Sequence, residues 1–182
     1  ACIHSHKAST VPSPPSASGL MITSCFPPMP SLTALAACKD VKEPLNESMI
    51  KQIHQILKSG TTDAEKEWFN VGEYKRLPNE VGGMETVAPK QVGMAIRELL
   101  KEYNSKSNVT FNDVLDFHHR FERIHPFQDG NGRVGRLIMF KECLSHNIVP
   151  FIIMDELKMF YYRGLQEWKQ TPGYLTDTCL TA

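Results

Sequence analysis

Residues 125 to 136 read His-Pro-Phe-Gln-Asp-Gly-Asn-Gly-Arg-Val-Gly-Arg, which places a histidine, a carboxylate, two arginines and three glycines within twelve positions. Three kinds of chemistry compete for such a stretch. Asp-Gly and Asn-Gly are favoured in two-residue hairpin turns, but a hairpin needs alternating strands on both sides. The flanks VLDFHHRFERI and RLIMFKECL instead carry apolar residues at helical spacing. A calcium loop of the EF-hand kind would put Asp129 first and Asn131 third, yet Arg133 then takes the fifth position and Val134 the sixth, where a ligand and a glycine belong. No GxxxxGK[ST] phosphate loop occurs in the chain. A cradle for anions survives. Gly130, Asn131 and Gly132 enter a helix, so backbone N–H groups converge at its positive end. Arg133 and Arg136 are spaced to reach phosphate oxygens from its first turn. Asp129 suits Mg²⁺ bridging phosphates, and His125 titrates where a hydroxyl proton can be taken.

The elements that must hold these groups are helical. Leu45, Met49, Ile50, Ile53, Ile56 and Leu57 form one apolar stripe, with Gly60 as a stop. GEYKRLPNEVGGMETV lacks helical period and carries turn signals, so it reads as a small β-hairpin or extended flap. Pro89 opens an amphipathic helix through Val92, Ile96, Leu99, Leu100 and Tyr103. Thr110 caps the next, with Asp113 completing a weak capping box, and Phe111, Val114, Leu115, Phe117, His118, Phe121 and Ile124 lead into His125. Val134, Leu137, Ile138, Met139, Phe140 and Leu144 give a buried helix after the glycines, and a last helix is expected over Asp155 to Lys169, capped by Asp155. The expected architecture is all-α: a helical bundle with one short β flap.

The stretch matches the HPFx[DE]GNGRxxR motif at every defined position and resembles the Fic-domain family, whose members transfer AMP from ATP to protein hydroxyls. The likeness runs from about Leu45 to Lys169, and GEYKRLPNEVGG resembles the family's target-docking flap. It implies a Fic-type bundle over residues 41–182, with the active-site loop at 125–136 and the flap at about Gly72–Val87. It also implies His125 as the base for a Ser, Thr or Tyr hydroxyl, Mg²⁺ on Asp129, and an anion hole from Gly130, Asn131 and Gly132, including the Asn131 side chain. Arg133 and Arg136 would bind the outer phosphates of ATP. Phe127 goes with the nucleotide-binding set as the anchor that shapes the loop. Glycine at 132 favours AMP transfer, because kinase-like relatives carry lysine there. A relative using another donor, one removing AMP, and a quiet nucleotide-binding module remain the alternatives.

Other residues read more plainly. His118 and His119 are expected as a partly buried helical pair, His54 as a surface residue, and Lys75 and Arg76 as flap charges that meet the target or solvent. Tyr161, Tyr162 and Trp168 are expected in the core, with either tyrosine able to line an adenine pocket.

The remainder of the chain sets bounds. It has 182 residues, 41% hydrophobic and 22% charged, enough for one domain with a core. Twenty basic and twenty acidic residues cancel, so bulk charge points to neither nucleic acid nor an anionic membrane. Five cysteines without a CxxC pair fit reduced thiols, and no apolar run reaches the roughly 20 residues that span a bilayer, so a cytoplasmic location is expected. Seven of the twelve prolines lie at or before Pro44, which makes residues 1–40 an irregular Pro/Ser-rich segment with room for a short helix near 31–42. No [ST]xxxE[GN] inhibitory motif of the family occurs. The resemblance then implies a chain active alone, or restrained by a separate antitoxin chain, and capable of modifying itself.

Overall fold

The structure is a computed structural model that describes residues 40–67 and 69–182. Residues 1–39 lie outside it, and with them most of the Pro/Ser-rich segment and of the helix expected near 31–42. That helix's last positions, 40–42, run into a turn.

Helix α1 (Glu47–Lys58) begins where the Asn46 side chain accepts the Met49 N–H at 2.8 Å, an N-cap that satisfies one orphan donor. A 3₁₀ turn (Thr62–Glu65) follows, then the hairpin of β1 (Glu80–Val81) and β2 (Met84–Glu85), which pairs Glu80 with Glu85 and Val81 with Met84. Both residues of its tight turn, Gly82 and Gly83, have positive φ (57° and 74°), as a two-residue hairpin of primed type requires. Helix α2 (Pro89–Asn104) starts on its proline. Helix α3 (Phe111–Ile124) carries the full capping box: Thr110 N–H donates to Asp113 at 2.8 Å, and Thr110 Oγ1 accepts from Asp113 N–H at 3.3 Å. Helix α4 (Asn131–Ser145) follows the motif loop, and α5 (Lys158–Gln166) and α6 (Gly173–Thr181) complete the chain.

The described residues thus form an all-α bundle with a two-stranded flap. α3 is central, packing on α2, α4 and α6, while α1 packs on α4 and α5 on α6. The apolar stripes of α1 to α4 meet in one core, where Ile50, Ile53, Val92, Leu115, Phe121 and Val134 are fully buried.

Three expectations change. The last helix does not run from Asp155 to Lys169: a 3₁₀ turn (Asp155–Leu157) without a side-chain cap leads into α5, which stops at Gln166. The chain then reverses through Pro172 into α6, which sequence reasoning did not foresee. Threonines at 176, 178 and 181 and a glycine at its start give α6 weak intrinsic propensity. Tertiary packing overrides this, because Leu175 and Cys179 stand one turn apart and are buried against the bundle. Finally, Ile56 and Leu144 sit at the exposed margins of their stripes rather than in the core.

Candidate active site

The motif loop hangs between the end of α3 and the start of α4. Two left-handed residues turn the chain there. His125 is the C-cap of α3 at φ 51°, and Gly130 is the N-cap of α4 at φ 84°. A side chain at Gly130 would be strained in that conformation. Asn131 and Gly132 precede the first intrahelical bond, which Arg133 N–H makes to the Gly130 carbonyl at 3.1 Å. Their N–H groups therefore have no intrahelical acceptor, and both residues face a cavity of about 790 Å³. The cavity is bounded by α3, the loop, the hairpin tip and α5, and His125, Asp129, Arg133 and Arg136 all line it.

His125 is oriented by its own helix. Its Nδ1 donates to the Glu122 carbonyl at 3.2 Å, which makes Nε2 the unprotonated nitrogen of the neutral ring. Burial holds the imidazole below its usual pKa, and the nearby Lys75 charge pushes the same way. The result is a neutral ring, able to accept a proton at pH 7.

The Asn131 side chain staples the motif loop. It is 1% exposed, its Nδ2 donates to the Phe127 carbonyl at 2.8 Å, and its Oδ1 accepts the Phe127 N–H at 2.7 Å. The Oδ1 and one Nδ2 hydrogen are engaged on the loop, and the backbone N–H of Asn131 has no intrahelical acceptor. Phe127 is likewise an anchor: its ring is 0% exposed, stacked on His54 at 3.9 Å and tilted against Tyr74 at 5.7 Å.

His54 is not a surface residue. Its Nε2 donates to the Asp129 carbonyl at 3.1 Å while Nδ1 accepts the Gly72 N–H at 2.9 Å, two roles that only the neutral ring can fill together. Burial lowers its pKa to about 4 in accord. Four residues on, Lys58 is 2% exposed and donates to Asp129 Oδ2 at 2.6 Å, with Arg133 at 3.4 Å from the same oxygen. Asp129 itself is half-exposed, and although burial acts against it, these cations hold its pKa below the ordinary carboxylate value. The i, i+4 spacing of Ile50, His54 and Lys58 was the available signal that α1 turns this row inward.

At the other end of the cavity lies a buried polar cluster that the sequence did not reveal. Glu122 Oε1 is buried without a hydrogen-bond partner, and burial pushes its carboxyl up to about 7 against the pull of Arg136. His118 Nε2 meets the Tyr161 hydroxyl at 2.5 Å, and that hydroxyl also meets the Arg136 side chain. Arg136 stands in the second turn of α4, one turn beyond Arg133 rather than beside it in the first. The cluster closes because position 135 is glycine: a Cβ there would fall 2.6 Å from Glu122 Oε1 and 2.9 Å from His118 Cε1. Tyr161 is core with its edge on the cavity, the half-exposed Tyr162 lines the same wall, and Trp168 is buried with its N–H on Asp116 at 2.9 Å. Lys75 is buried beneath the hairpin, not solvated.

An αL histidine, a glycine-started helix and two arginines stand around one cavity, in the loop and first turns between two packed helices. The family model for the Fic/DOC family matches residues 44–143, and the chain belongs to that family. It is similar to proteins named protein adenylyltransferase Fic, 33% identical over 98 residues in Aedes aegypti and 31% over 98 residues in Drosophila melanogaster. Those matches cover 52% of this chain and 20% of each relative, so the chain spans about a fifth of their length. Among solved structures it resembles a Fic domain containing signaling protein from Bacteroides thetaiotaomicron, with a TM-score of 0.65 and 26% identity over 83% of this chain and 59% of that one. Fic-1 from C. elegans shares the fold at a TM-score of 0.61 and 20% identity, over 80% of this chain and 42% of that one. No helix among the described residues is long and apolar enough to cross a membrane.

Proposed function

We propose that this chain transfers AMP from ATP to a hydroxyl side chain of a protein. One observation carries the reading: His125, neutral and with Nε2 as its proton acceptor, borders the cavity that the unbonded N–H groups of Asn131 and Gly132 also face. His125 Nε2 takes the proton of the incoming Ser, Thr or Tyr hydroxyl. The oxygen attacks the α-phosphorus, the bond to the bridging oxygen breaks, and pyrophosphate leaves with its electron pair. The N–H groups of Asn131 and Gly132, at the positive end of α4, stabilise charge on the α-phosphate oxygens as it develops. Arg133 and Arg136, one turn apart, bind the β- and γ-phosphates and hold the α-phosphorus toward the base.

Magnesium fits this donor set only as an ion carried with the nucleotide. Asp129 is a single half-exposed carboxylate, and no three His, Cys, Asp or Glu side chains converge among the described residues. That is sufficient, since Mg²⁺ is commonly held by one or two carboxylates plus substrate phosphates. Asp129 would hold it, and when bound it neutralises phosphate charge. The names of the relatives support ATP and a protein as substrates, and the hairpin beside His125 is where the protein would dock.

The deciding experiment supplies Mg²⁺ with ATP labelled at either the α- or the γ-phosphate, to the protein and to His125→Ala, in a nucleotide-free lysate. Label incorporated into protein, the chain itself included, from the α position only and lost with His125 is the expected result. Incorporation from the γ position indicates a kinase instead. Bound nucleotide with no transfer indicates a binding module.

A further inference from the structure

A single buried lysine fastens the hairpin to the end of α3 and to the motif loop. Lys75 is 3% exposed, and its Nζ donates to Asn79 Oδ1 at 2.7 Å, to Thr86 Oγ1 at 2.6 Å and to the Ile124 carbonyl at 3.3 Å. Its backbone N–H donates to the Pro126 carbonyl at 2.9 Å. Asn79 precedes β1 and Thr86 follows β2, so the ammonium ties both roots of the hairpin to Ile124, and the Lys75 backbone N–H adds Pro126 on the other side of His125. The ties continue outward: Asn79 Nδ2 donates to the Phe127 carbonyl at 2.9 Å, and Thr86 Oγ1 donates to the Asn79 carbonyl at 2.9 Å.

All three ammonium hydrogens are used, and no carboxylate pairs with Lys75 among the described residues. That is an expensive way to fasten two loops. A buried charge costs stability unless it is paired, and desolvation accordingly lowers the Lys75 pKa to about 8. Shape alone could be met by an apolar residue. What the ammonium adds is three directed donors fanning toward acceptors on two sides of the flap and on the end of α3, together with a positive charge that lowers the proton affinity of His125.

We infer that Lys75 is a positioning residue, which sets where the hairpin stands over His125 and so where an incoming hydroxyl meets the base. It acts through Asn79, Thr86 and the loop carbonyls, without touching the nucleotide, and it is absent from the cavity wall. The part concerning the hydroxyl rests on the AMP-transfer reading. The placement of the hairpin does not.

The test compares wild type, Lys75→Met, Lys75→Arg and Asn79→Ala. In Lys75→Met, amide hydrogen exchange from Leu77 to Val87 is expected to rise about tenfold, the equivalent of one or more charge-assisted hydrogen bonds, with the amides of α3 and α4 unchanged. Asn79→Ala, which breaks the same clasp from the other side, should give the same local pattern. Affinity for α,β-methylene-ATP with Mg²⁺ should stay within about twofold, because Lys75 does not line the cavity, while the rate of AMP incorporation at saturating ATP falls about tenfold from the lost orientation. Lys75→Arg, which keeps the charge and the fan of donors, should recover most of that rate. Three results overturn the inference: unchanged hairpin exchange in both clasp variants, exchange raised throughout α3 and α4, or nucleotide affinity lost in parallel with the rate. If wild type incorporates no label from the α-phosphate, the functional reading fails, and the exchange comparison still decides whether Lys75 places the hairpin.

Discussion

Asn131→Ala separates two roles that the motif alone would assign to one side chain. In the fold, the Asn131 amide accepts the Phe127 N–H at 2.7 Å and donates to the Phe127 carbonyl at 2.8 Å, with 1% of the residue exposed. Alanine removes both bonds; the Phe127 carbonyl keeps its bond from Asn79 Nδ2 at 2.9 Å, but the Phe127 N–H is left without an acceptor in a space that water does not reach. Each group stranded this way costs about 1–3 kcal/mol, and alanine recovers only about 0.5 kcal/mol of helix propensity. The expected loss is about 1–3 kcal/mol, which for a domain of this size lowers Tm by about 3–10 °C. Urea unfolding with an unchanged m-value measures it. Asn131→Asp should be no milder, since it keeps the acceptor but turns a carboxylate oxygen toward the Phe127 carbonyl. A variant within about 0.5 kcal/mol of wild type that nonetheless binds ATP tenfold more weakly would refute the staple and return the side chain to direct contact with phosphate.

Two further predictions concern the buried polar groups behind the cavity. Gly135→Ala gains about 1 kcal/mol of helix propensity, but its Cβ meets Glu122 Oε1 at 2.6 Å and the ring of His118, which is held by Tyr161, at 2.9 Å. Overpacking of about 1–3 kcal/mol outweighs the gain, so thermal unfolding should show net destabilisation; a stabilised variant would contradict the packing of this cluster. Stability should also fall with acid. Burial lowers His54 to about 4 and His118 to about 3, so the neutral forms contribute stability that is complete above about pH 6.5 and lost as pH falls toward those values. Glu122, raised to about 7 by burial, opposes them with one proton between about pH 4.5 and 7. For these three groups the net is about one proton, or about 1.4 kcal/mol per pH unit; His119 and His125, also held low by burial, add in the same direction, so urea unfolding at pH 5 should show at least about 2 kcal/mol less stability than at pH 7.

Much of the site was legible because its chemistry is local in the chain. His125, Asp129, the Gly-Asn-Gly entry and the arginines fall within twelve positions, and helical flanks with Thr110 and Pro89 as start signals place that loop between two helices. The hairpin could be read from Gly82-Gly83 flanked by extended residues. These features depend on backbone conformations and spacings that the residues themselves prefer. Where the reading failed, the deciding partner was remote. His54 was assigned to the surface because its neighbours in sequence are apolar, yet its two acceptor and donor partners come from Gly72 and Asp129. α6 has poor local propensity and exists through Leu175 and Cys179 in the core.

By itself, then, the sequence determined an all-helical bundle, a glycine-rich helix entry and the family to which they belong, since periodicity, caps and a contiguous motif act over a few residues. Only the tertiary structure decided which polar groups are spent on holding the site and which are left to act on a ligand. The Asn131 amide is turned inward to Phe127, Lys58 is drawn onto Asp129 from another helix, Lys75 is buried under the hairpin, and Glu122 is stranded beside Arg136. The physical reason is common to all four. A polar group's availability depends on the acceptors, donors and water that folding leaves within about 3 Å of it, and residues that are neighbours in space supply them.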